Sequence, residues 1–474
     1  EQPRPIESKA VAGQRGFGRR WRSIAVALTL FLVSLLGYQY FLGGNGTPGI
    51  ASVGVLPFAN MTGSADNAYV SDGLTEEVIH VMAQQPELMV AARTSTFALR
   101  DKGLSVTEIG KRLGVDSIIE GSVRMERGVQ RITLQLIDAR SGMHRGSITL
   151  DAVEGDLFHA QERIAESIFD LLADAGASIA PLAAPAAHSP SAQVYDLYLR
   201  GRAALHTRSA ESLQAAKEYL LEAARLDPSF APAHAALGQL YIVSRIYLRL
   251  DADESAQLAG AAVERALAID AENVDALTAA AALAADRGEY AVSVATFQRA
   301  IELHPSNALA HLWFGQLLHL LGYTTAGTEH VAAALRLDPL AGSTNTVMAY
   351  SVSLTDNNEG LLQAAQQAEA MQARLAPKFL SLYEFRRGNI DGFAREITRH
   401  HAVIGIDTAA TPLLADAARQ RIGEADLVAQ LKPYESKQNI FFAREYAMLG
   451  MHRAAMDALL RTPNSGGSFL SDMW

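Results

Sequence analysis

The feature that most constrains the fold is a motif that recurs in the second half of the chain. Four segments of similar sequence, ARLDP, LAIDA, IELHP and LRLDP, end at Pro228, Ala271, Pro305 and Pro339. Their ends are 43, 34 and 34 residues apart, and the longer interval contains about nine extra residues near 244–253. A period of about 34 residues is typical of arrays in which each unit is a pair of antiparallel helices. The sequence therefore predicts an α-solenoid.

Small residues recur at two positions of each repeat, which allows the two helices of a unit to cross closely. Gly288 and Gly322 mark the turns between paired helices. Three agreeing units predict a helical domain over residues 194–474, with weaker units beyond residue 345 and a degenerate last unit at 443–460. The small residues are Gly238, Ala281 and Gly315 in the first helix and Ala266, Ala300 and Ala334 in the second.

Residues 50–175 show a different pattern, in which short apolar strands alternate with amphipathic helices. The expected order is β-α-β-α-β-β-β-α, which is typical of a small α/β layer domain. Ser105 and Glu108 match a capping box at the start of one helix. Asp72 is expected to cap an earlier helix, and residues 116–138 are expected to form a β-hairpin.

An uncharged apolar segment at residues 23–42 follows a basic tail at residues 1–22. Its length matches the ~20 residues that a helix needs to cross a bilayer, so it predicts a single transmembrane helix. Positive charge flanks it on the N-terminal side, which predicts a cytoplasmic N-terminus and a periplasmic bulk at the inner membrane. The alternatives are a cleaved signal peptide and a buried core helix. With a linker at 176–193, the predicted fold class is α+β overall.

Charge is distributed unevenly along the chain. The net charge is −10, although the tail at residues 1–22 contains six Arg or Lys and two Glu. The rest is therefore strongly acidic, which argues against a nucleic-acid surface because phosphate binding requires clustered Lys and Arg. The first residue is Glu1 and not Met, so we expect a further segment upstream.

Two blocks of the α/β region carry a family resemblance. They read VGVLPFANMTGSADNAYVSDGLTEEVIHVMAQQPELMVAARTSTFALRDKG and VTEIGKRLGVDSIIEGSVRMERGVQRITLQLIDARSG. Over roughly residues 51–172 the chain resembles the TolB-like amino-terminal domain, and the units that follow are similar to tetratricopeptide repeats. The sequence departs from the family after His144, where Arg-Gly-Ser-Ile-Thr replaces the usual Trp and Tyr-Asp pair.

This combination of domains resembles membrane-anchored bacterial regulators. Examples are CadC-type transcription regulators, which have a winged-helix DNA-binding domain, and class III adenylate cyclases. The resemblance implies a regulatory or sensory protein that binds protein partners and controls an upstream cytoplasmic output, with a kinase as a further possibility for that output. The alternative is a self-contained scaffold or assembly protein with no output domain, and homo-oligomers are compatible with either.

No residue pattern predicts catalysis, a cofactor or a metal ion. The sequence contains 0 cysteines, no Gly-rich phosphate-binding loop and no nucleophile elbow. His311 and His319 are eight positions apart on one expected helix, too far to share an ion, and the adjacent His400 and His401 point apart. Residues 93–96 are a conceivable small-anion site, but a turn that satisfies its own backbone is the preferred interpretation.

Arrays of tetratricopeptide repeats have a concave groove lined by the first helix of each unit, and its usual ligand is a peptide or protein. The resemblance therefore implies a protein or peptide partner in this groove. Alternatively, some of the residues there only pack against the next repeat. The implied groove residues are Gln239, Ile242, Asp275, Thr278, Leu312, Gln316 and His319.

Overall fold

A computed structural model describes residues 51–64, 67–126, 129–153, 157–180, 188–207, 209–248, 250–434 and 439–461. These residues belong to one compact unit, and they form a small mixed sheet with helices followed by a long array of helix pairs. The prediction of an α/β domain followed by an α-solenoid is confirmed at this level.

The sheet is mixed, in the order β3-β1-β4-β5-β6, with β2 also pairing with β4. The parallel pairs are β1 with β3, β1 with β4 and β2 with β4, whereas β4, β5 and β6 form an antiparallel meander that includes the predicted hairpin. The strands are β1 (Ser52–Val55), β2 (Ala59–Met61), β3 (Met89–Val90), β4 (Ser117–Glu126), β5 (Val129–Asp138) and β6 (His144–Val153).

Helices cover both faces of the sheet. One apolar core joins helices α1 (Ala68–Met82) and α4 (Leu157–Asp174) to the face that carries Val53 and Ile119. A second, smaller core joins helix α3 (Val106–Leu113) to Ile118 on the opposite face. Successive strand residues point to opposite faces, so the alternation of apolar residues in the sequence supplies both cores.

Two local predictions for this domain have different outcomes. The capping box at the start of α3 is confirmed, because Ser105 and Glu108 each bond the other's backbone N–H. The prediction that Asp72 caps a helix is wrong. Helix α1 begins at Ala68 after Asn67, which places Asp72 in the second turn, where its carboxylate pairs with Arg100.

The segment at residues 93–96 is also helical and not a free turn. Helix α2 (Arg93–Phe97) begins at Arg93, and the backbone N–H of Thr96 bonds the carbonyl oxygen of Ala92. The Ser95 side chain of this helix faces the repeat array, as described below.

The array consists of antiparallel helix pairs with a tetratricopeptide-like fold. In each pair the first helix is called A and the second B. The pairs are α5 (Ala192–Thr207) with α6 (Ala210–Leu226), α7 (Ala231–Tyr247) with α8 (Ala252–Ile269), α9 (Val274–Asp286) with α10 (Tyr290–Leu303), α11 (Ala308–Leu320) with α12 (Thr324–Leu337), α13 (Gly342–Ser353) with α14 (Asn358–Ala370), α15 (Ala376–Arg386) with α16 (Ile390–Ile404), α17 (Thr411–Ala418) with α18 (Glu424–Leu431), and α19 (Asn439–Met448) with α20 (His452–Arg461).

The small residues predicted from the repeat lie where paired helices touch. A Cβ atom at Gly315 of α11 would lie 2.7 Å from the Cγ2 of Val331 and 2.8 Å from the carbonyl oxygen of Gly327, both on α12. A Cβ at Gly238 of α7 would lie 2.6 Å from Val263 of α8. The extra residues of the second unit mostly lengthen the helices themselves, because α7 and α8 have 17 and 18 residues whereas the A and B helices of the next two pairs have 13 and 14. Asp251 caps α8.

The predicted location requires a correction. None of the helices in the described ranges is long and apolar enough to cross a bilayer. The prediction of a single-pass protein of the inner membrane with a periplasmic bulk is therefore withdrawn. The segment at 23–42 and the basic tail at 1–22 lie outside the described residues.

The contact at Gly315 generates a stability prediction. Replacing Gly315 with Ala forces a methyl group against backbone atoms of α12, so we expect a loss of about 1–3 kcal/mol in the free energy of unfolding. Gly260, in the middle of α8, has open space around it. The matched variant Gly260→Ala should be neutral or slightly stabilising because alanine is the better helix former. Urea unfolding of both variants gives the comparison, and equal midpoints would mean that the helices do not cross at Gly315.

Candidate functional site

The α/β domain packs directly against the repeat array. Its contacts come from helix α1 and from the segment that runs from β3 into α2. On the array they reach helix α5 and the connections that precede the A helices α11 and α13. The sequence does not predict this contact between the two domains.

The outer edge of β3 is capped by the array. The Ser306 hydroxyl accepts a hydrogen bond from the backbone N–H of Val90 at 3.1 Å and donates one to the carbonyl oxygen of Leu88 at 3.1 Å. The backbone N–H of Ala92 donates to the carbonyl oxygen of Leu337 at 2.7 Å. These bonds supply partners for strand-edge groups that would otherwise be unpaired.

Helix α2 is fixed in the same way. The buried Ser95 hydroxyl donates to the Asp338 carboxylate at 2.6 Å and accepts from the backbone N–H of Leu340 at 2.9 Å. The Arg93 side chain, in the segment that the sequence singles out as a conceivable anion site, lies 3.1 Å from the Glu76 carboxylate. Its cation therefore already has an anionic partner within the protein.

A cluster of charged side chains lies at the centre of the contact. We call it the interdomain cluster, and it consists of Glu76, Arg93, Arg202, His206 and Asp275. Nε of Arg202 donates to Glu76 at 2.9 Å, and an Nη of Arg202 donates to Asp275 at 2.8 Å. Nε2 of His206 lies 2.8 Å from the same Glu76 oxygen. The three elements α1, α5 and α9 are thus linked through one guanidinium group.

The cluster sets the ionisation of its members. Burial alone would raise the pKa of Glu76, but the charges of Arg202, His206 and Arg93 outweigh it and hold the pKa well below its usual range. The pKa of Asp275 is lowered for the same reason, with Arg202 outweighing burial. Burial lowers the pKa of His206 even though Glu76 favours its protonation. The carboxylates therefore stay ionised beside the two arginines.

The pKa of a second carboxyl group on α1, that of Glu77, is shifted in the opposite direction. Burial raises the pKa of Glu77, which has no arginine in direct contact. Its two oxygens accept hydrogen bonds from the Tyr198 hydroxyl and from the Gln161 amide, each at 3.2 Å. Neighbouring carboxyls on one helix therefore have different roles: Glu76 anchors the domain contact, whereas Glu77 belongs to a polar network with α4 and α5.

The predicted groove residues do not line an open surface. Asp275 is half-buried and bound to Arg202, and Gln239 is also half-buried. The other five side chains are buried: Thr278 bonds the carbonyl oxygen of Val274, and His319 bonds the Ser351 hydroxyl of the next A helix at 2.8 Å. The buried five are Ile242, Thr278, Leu312, Gln316 and His319. The role of all seven residues in partner binding stays a prediction.

The histidines of the array pair in ways that the sequence did not suggest. The Nδ1 atoms of His311 and His330 lie 3.0 Å apart, and burial together with His330 lowers the pKa of His311 to about 4. His401 is fully buried, and its Nε2 lies 2.7 Å from the Glu445 carboxylate. Within the described ranges no group of three or more His, Asp or Glu side chains is arranged to hold a metal ion.

Four of the exposed apolar side chains lie at the opposite end of the helix pairs. The B-to-A connections hold the α/β domain, whereas the turns from A to B lie at the other end of each pair. Four apolar residues at these turns are 41–63% exposed. We call this surface the turn edge, and it consists of Tyr290, Leu320, Tyr323 and Leu354. Leu320 and Leu354 occupy the same repeat position, 34 residues apart.

Comparisons with known proteins give a partial likeness. No family model matches the chain. A stretch of 190 residues is 32% identical to a Rhizobium meliloti (strain 1021) protein named putative adenylate cyclase 3, and it covers 40% of this chain and 32% of that protein. The chain thus spans about a third of this relative's length.

Similar solved structures include a tetratricopeptide-repeat protein and a protein complex. Pseudomonas aeruginosa PilF has 18% identity, covers 45% of this chain and 93% of its own, and has a TM-score of 0.36. A repeat protein from Parabacteroides merdae ATCC 43184 has 15% identity, coverages of 56% and 99%, and a TM-score of 0.36. The Cut9–Hcn1 complex has 14% identity, coverages of 64% and 52%, and a TM-score of 0.39. Because these scores are low, the description of the repeats rests on the helix pairs themselves.

The interdomain cluster predicts an unequal response to the loss of two arginines. In Arg202→Met, the carboxylates of Glu76 and Asp275 lose their shared partner while still buried, and we expect a loss of about 3–5 kcal/mol in the free energy of unfolding. Arg225→Met removes an exposed pair with Glu222 and should leave that free energy unchanged. Urea unfolding at neutral pH compares the two, and similar losses would mean that water solvates the cluster.

A pH prediction follows from His304, whose ring packs edge-on against His80 at a centroid distance of 4.7 Å. Burial, helped by His80, lowers the pKa of His304 to about 3. A depressed histidine pKa favours folding above its ordinary value near 6.5, and this contribution is lost as the pH falls from there towards 3. A change from pH 7 to pH 5 should therefore lower the free energy of unfolding by about 2 kcal/mol through the protonation of His304 in the unfolded chain.

The difference between wild type and His304→Gln isolates this contribution from other titrating groups. Urea unfolding at pH 7 and pH 5 should show a smaller acid-induced loss in the free energy of unfolding for His304→Gln than for wild type. Parallel pH profiles for wild type and His304→Gln would show that His304 is protonated in the folded protein at pH 5.

Proposed function

We propose that this chain is a protein-binding regulatory module whose partner docks on the turn edge of the repeat array. One observation carries the proposal: the two ends of the helix pairs differ. One end is covered by the α/β domain through backbone bonds and buried charges. The other presents Tyr290, Leu320, Tyr323 and Leu354 to solvent.

The turn edge has the chemistry of a protein-binding surface. Large exposed apolar side chains that recur at one edge of consecutive repeats are costly to hydrate, and surfaces of this kind mark interaction sites. Tyrosine is enriched at interfaces because it offers a wide apolar ring and a hydroxyl group with few rotatable bonds. A partner that presents apolar side chains along an extended segment fits this row.

The half-buried Gln239 supports a second surface. It is the one predicted groove residue that is both partly exposed and not bound to Arg202, so a peptide in the groove would contact it first. The groove that the seven predicted residues define is the alternative surface for the same class of partner. The five buried members would act by packing neighbouring A helices, not by direct contact.

The regulatory part of the proposal rests on the domain contact and on the likeness to a cyclase. The α/β domain is held by a compact set of charged and polar bonds, so a change in that domain would be transmitted to α5, α9 and the connections of the array. The partial identity to a putative adenylate cyclase supports a cyclase as the associated output. A winged-helix DNA-binding output is the second candidate, and a scaffold without output is the third.

We also propose that the described residues act by binding and not by catalysis. The clustered titratable groups, Glu76, Glu77, Asp275 and His206, are occupied by hydrogen bonds and ion pairs within the protein. A general base needs access to a substrate proton, and these groups face the domain contact.

Partner capture tests the surface. The purified chain is used as bait in extract of the source cells, and captured proteins are quantified by mass spectrometry for wild type and for Leu320→Glu with Leu354→Glu. We expect capture to fall at least about tenfold, because two charges in an apolar contact cost more than 1.4 kcal/mol. The matched control, Leu221→Glu with Leu226→Glu, changes exposed leucines of α6 away from the turn edge.

The same experiment with Gln239→Ala examines the groove. Loss of capture in Gln239→Ala together with full capture by the double-glutamate variant would assign the partner to the groove and contradict the turn edge. Equal capture by all variants would contradict both surfaces. The reading frame upstream of the codon for Glu1 separately tests the output: a cyclase domain there would support the first candidate and a winged-helix domain the second.

A further inference from the structure

The α/β domain contains a cleft of about 450 Å³ that the protein-binding role does not use. Its floor is apolar and comes from Phe58, Leu99 and Ile109, which are 3%, 6% and 6% exposed. Polar and charged side chains form the rim, and they are Asn60, Asp72, Arg100, Asp101 and Lys102. The volume is within the range of small-molecule sites, about 300–1,000 Å³.

The cleft occupies a special point in the topology of the sheet. The chain runs from β1 through the short strand β2 to α1 on one face, and from β3 through α2 to α3, which packs on the other face. These two neighbouring parallel strands therefore send their connections to opposite sides. In open α/β sheets, ligands bind in the crevice outside the carboxyl ends of such strands. Residues 56–60, which follow β1, and residues 99–104, which follow α2, line the cleft at this crevice.

The charges around the rim are balanced. Asp72 and Arg100 form an ion pair across the cleft wall, with one hydrogen bond of 3.2 Å. Asp101 and Lys102 are exposed, and neither forms an ion pair with a described residue. A ligand with a net charge would face as much repulsion as attraction from two cations and two anions. A ligand that carries one positive and one negative group can satisfy both Asp101 and Lys102.

We propose that this cleft binds a small zwitterion with an apolar side chain, of the amino-acid or dipeptide class. The apolar side chain lies on Phe58, Leu99 and Ile109, the ligand carboxylate faces Lys102, and the ligand ammonium faces Asp101. The inference deepens the proposed function, because it supplies the regulatory module with an input.

The cleft and the interdomain cluster are connected through helix α1 and through Phe97, the last residue of α2. On α1, Asp72 lines the cleft and Glu76, one turn later, belongs to the cluster. The guanidinium groups of Arg93 and Arg100 lie 3.8 and 4.8 Å from the centre of the Phe97 ring. A ligand that shifts Arg100, or its partner Asp72, therefore acts on the Phe97 ring, which contacts Arg93, and Arg93 in turn pairs with Glu76. This route connects the cleft to α5 without requiring a new contact.

Titration with defined probes tests the site. The full chain is titrated with L-leucine and with L-leucyl-L-leucine, and binding is followed by calorimetry and by amide NMR shifts of residues 56–60 and 99–104. We expect saturable binding of at least one of the two zwitterions. Hexanoate, which lacks the ammonium group, and isoamylamine, which lacks the carboxylate, should bind at least about tenfold more weakly, because each loses one ion pair.

Variants locate the binding. Lys102→Glu should raise Kd for the zwitterion at least about tenfold, whereas Lys111→Glu, an exposed lysine on α3 outside the cleft, should leave it within about twofold. Ala59→Trp fills the cleft from an exposed position on β2 and should abolish binding. Circular dichroism and the thermal midpoint confirm that each variant is folded.

Three results would overturn the proposal. They are the absence of saturable binding by both zwitterions up to about 10 mM, equal binding of hexanoate or isoamylamine, and equal Kd values for wild type and Lys102→Glu in folded protein. None of them affects partner capture by the turn edge, which involves residues on the repeat array. Failure of the cleft and failure of the proposed function are therefore separate outcomes.

Discussion

The guanidinium group of Arg202 holds the two domains in register. It bonds Glu76 of the α/β domain and Asp275 of a later repeat at the same time, and it is largely removed from water. A buried cation of this kind is tolerated when its hydrogen-bonding capacity is filled by ionised partners, and removal of either side leaves an uncompensated charge. The pair gives less net stability than its Coulomb attraction suggests, but it penalises every other orientation of α1 on the array. The ion pair therefore contributes more to the relative orientation of the two domains than to the free energy of unfolding.

Around that bond, hydrogen bonds at the periphery complete the contact. Ser306 bridges Leu88 and Val90, and Ser95 bridges Asp338 and Leu340. Both serines use one hydroxyl to satisfy a donor and an acceptor on the opposite domain. Short side chains of this type hold two backbones close together with little loss of rotamer freedom. The connections between repeats are therefore not only spacers, because they bind the α/β domain at the edge of its sheet.

Sequence reasoning recovered what is local and periodic. The 34-residue spacing, the small residue at Gly315 and the capping box at Ser105 each depend on neighbours within one or two helical turns or one repeat. It does not predict contacts between residues that are far apart in the sequence. Glu76 and Arg202 are 126 residues apart, and nothing in their flanking residues announces the pair. Asp275 lies on an A helix, as the repeat pattern predicts, and its carboxylate pairs with Arg202 within the chain. Asp is a residue type that often caps helices, yet the Asp72 carboxylate pairs with Arg100. This is a tertiary contact that no local sequence rule predicts.

The capping of β3 by Ser306 and Leu337 has a consequence for solubility. A strand at the margin of a sheet exposes unpaired amides and carbonyls, and these are templates on which other chains add. Proteins usually blunt such a margin with charge, proline or a bulge, but β3 is the two-residue sequence Met-Val and carries none of these. Here the repeats cover it. Separation of the domains would expose these unpaired backbone groups, so the array protects this edge of the sheet from pairing with other chains.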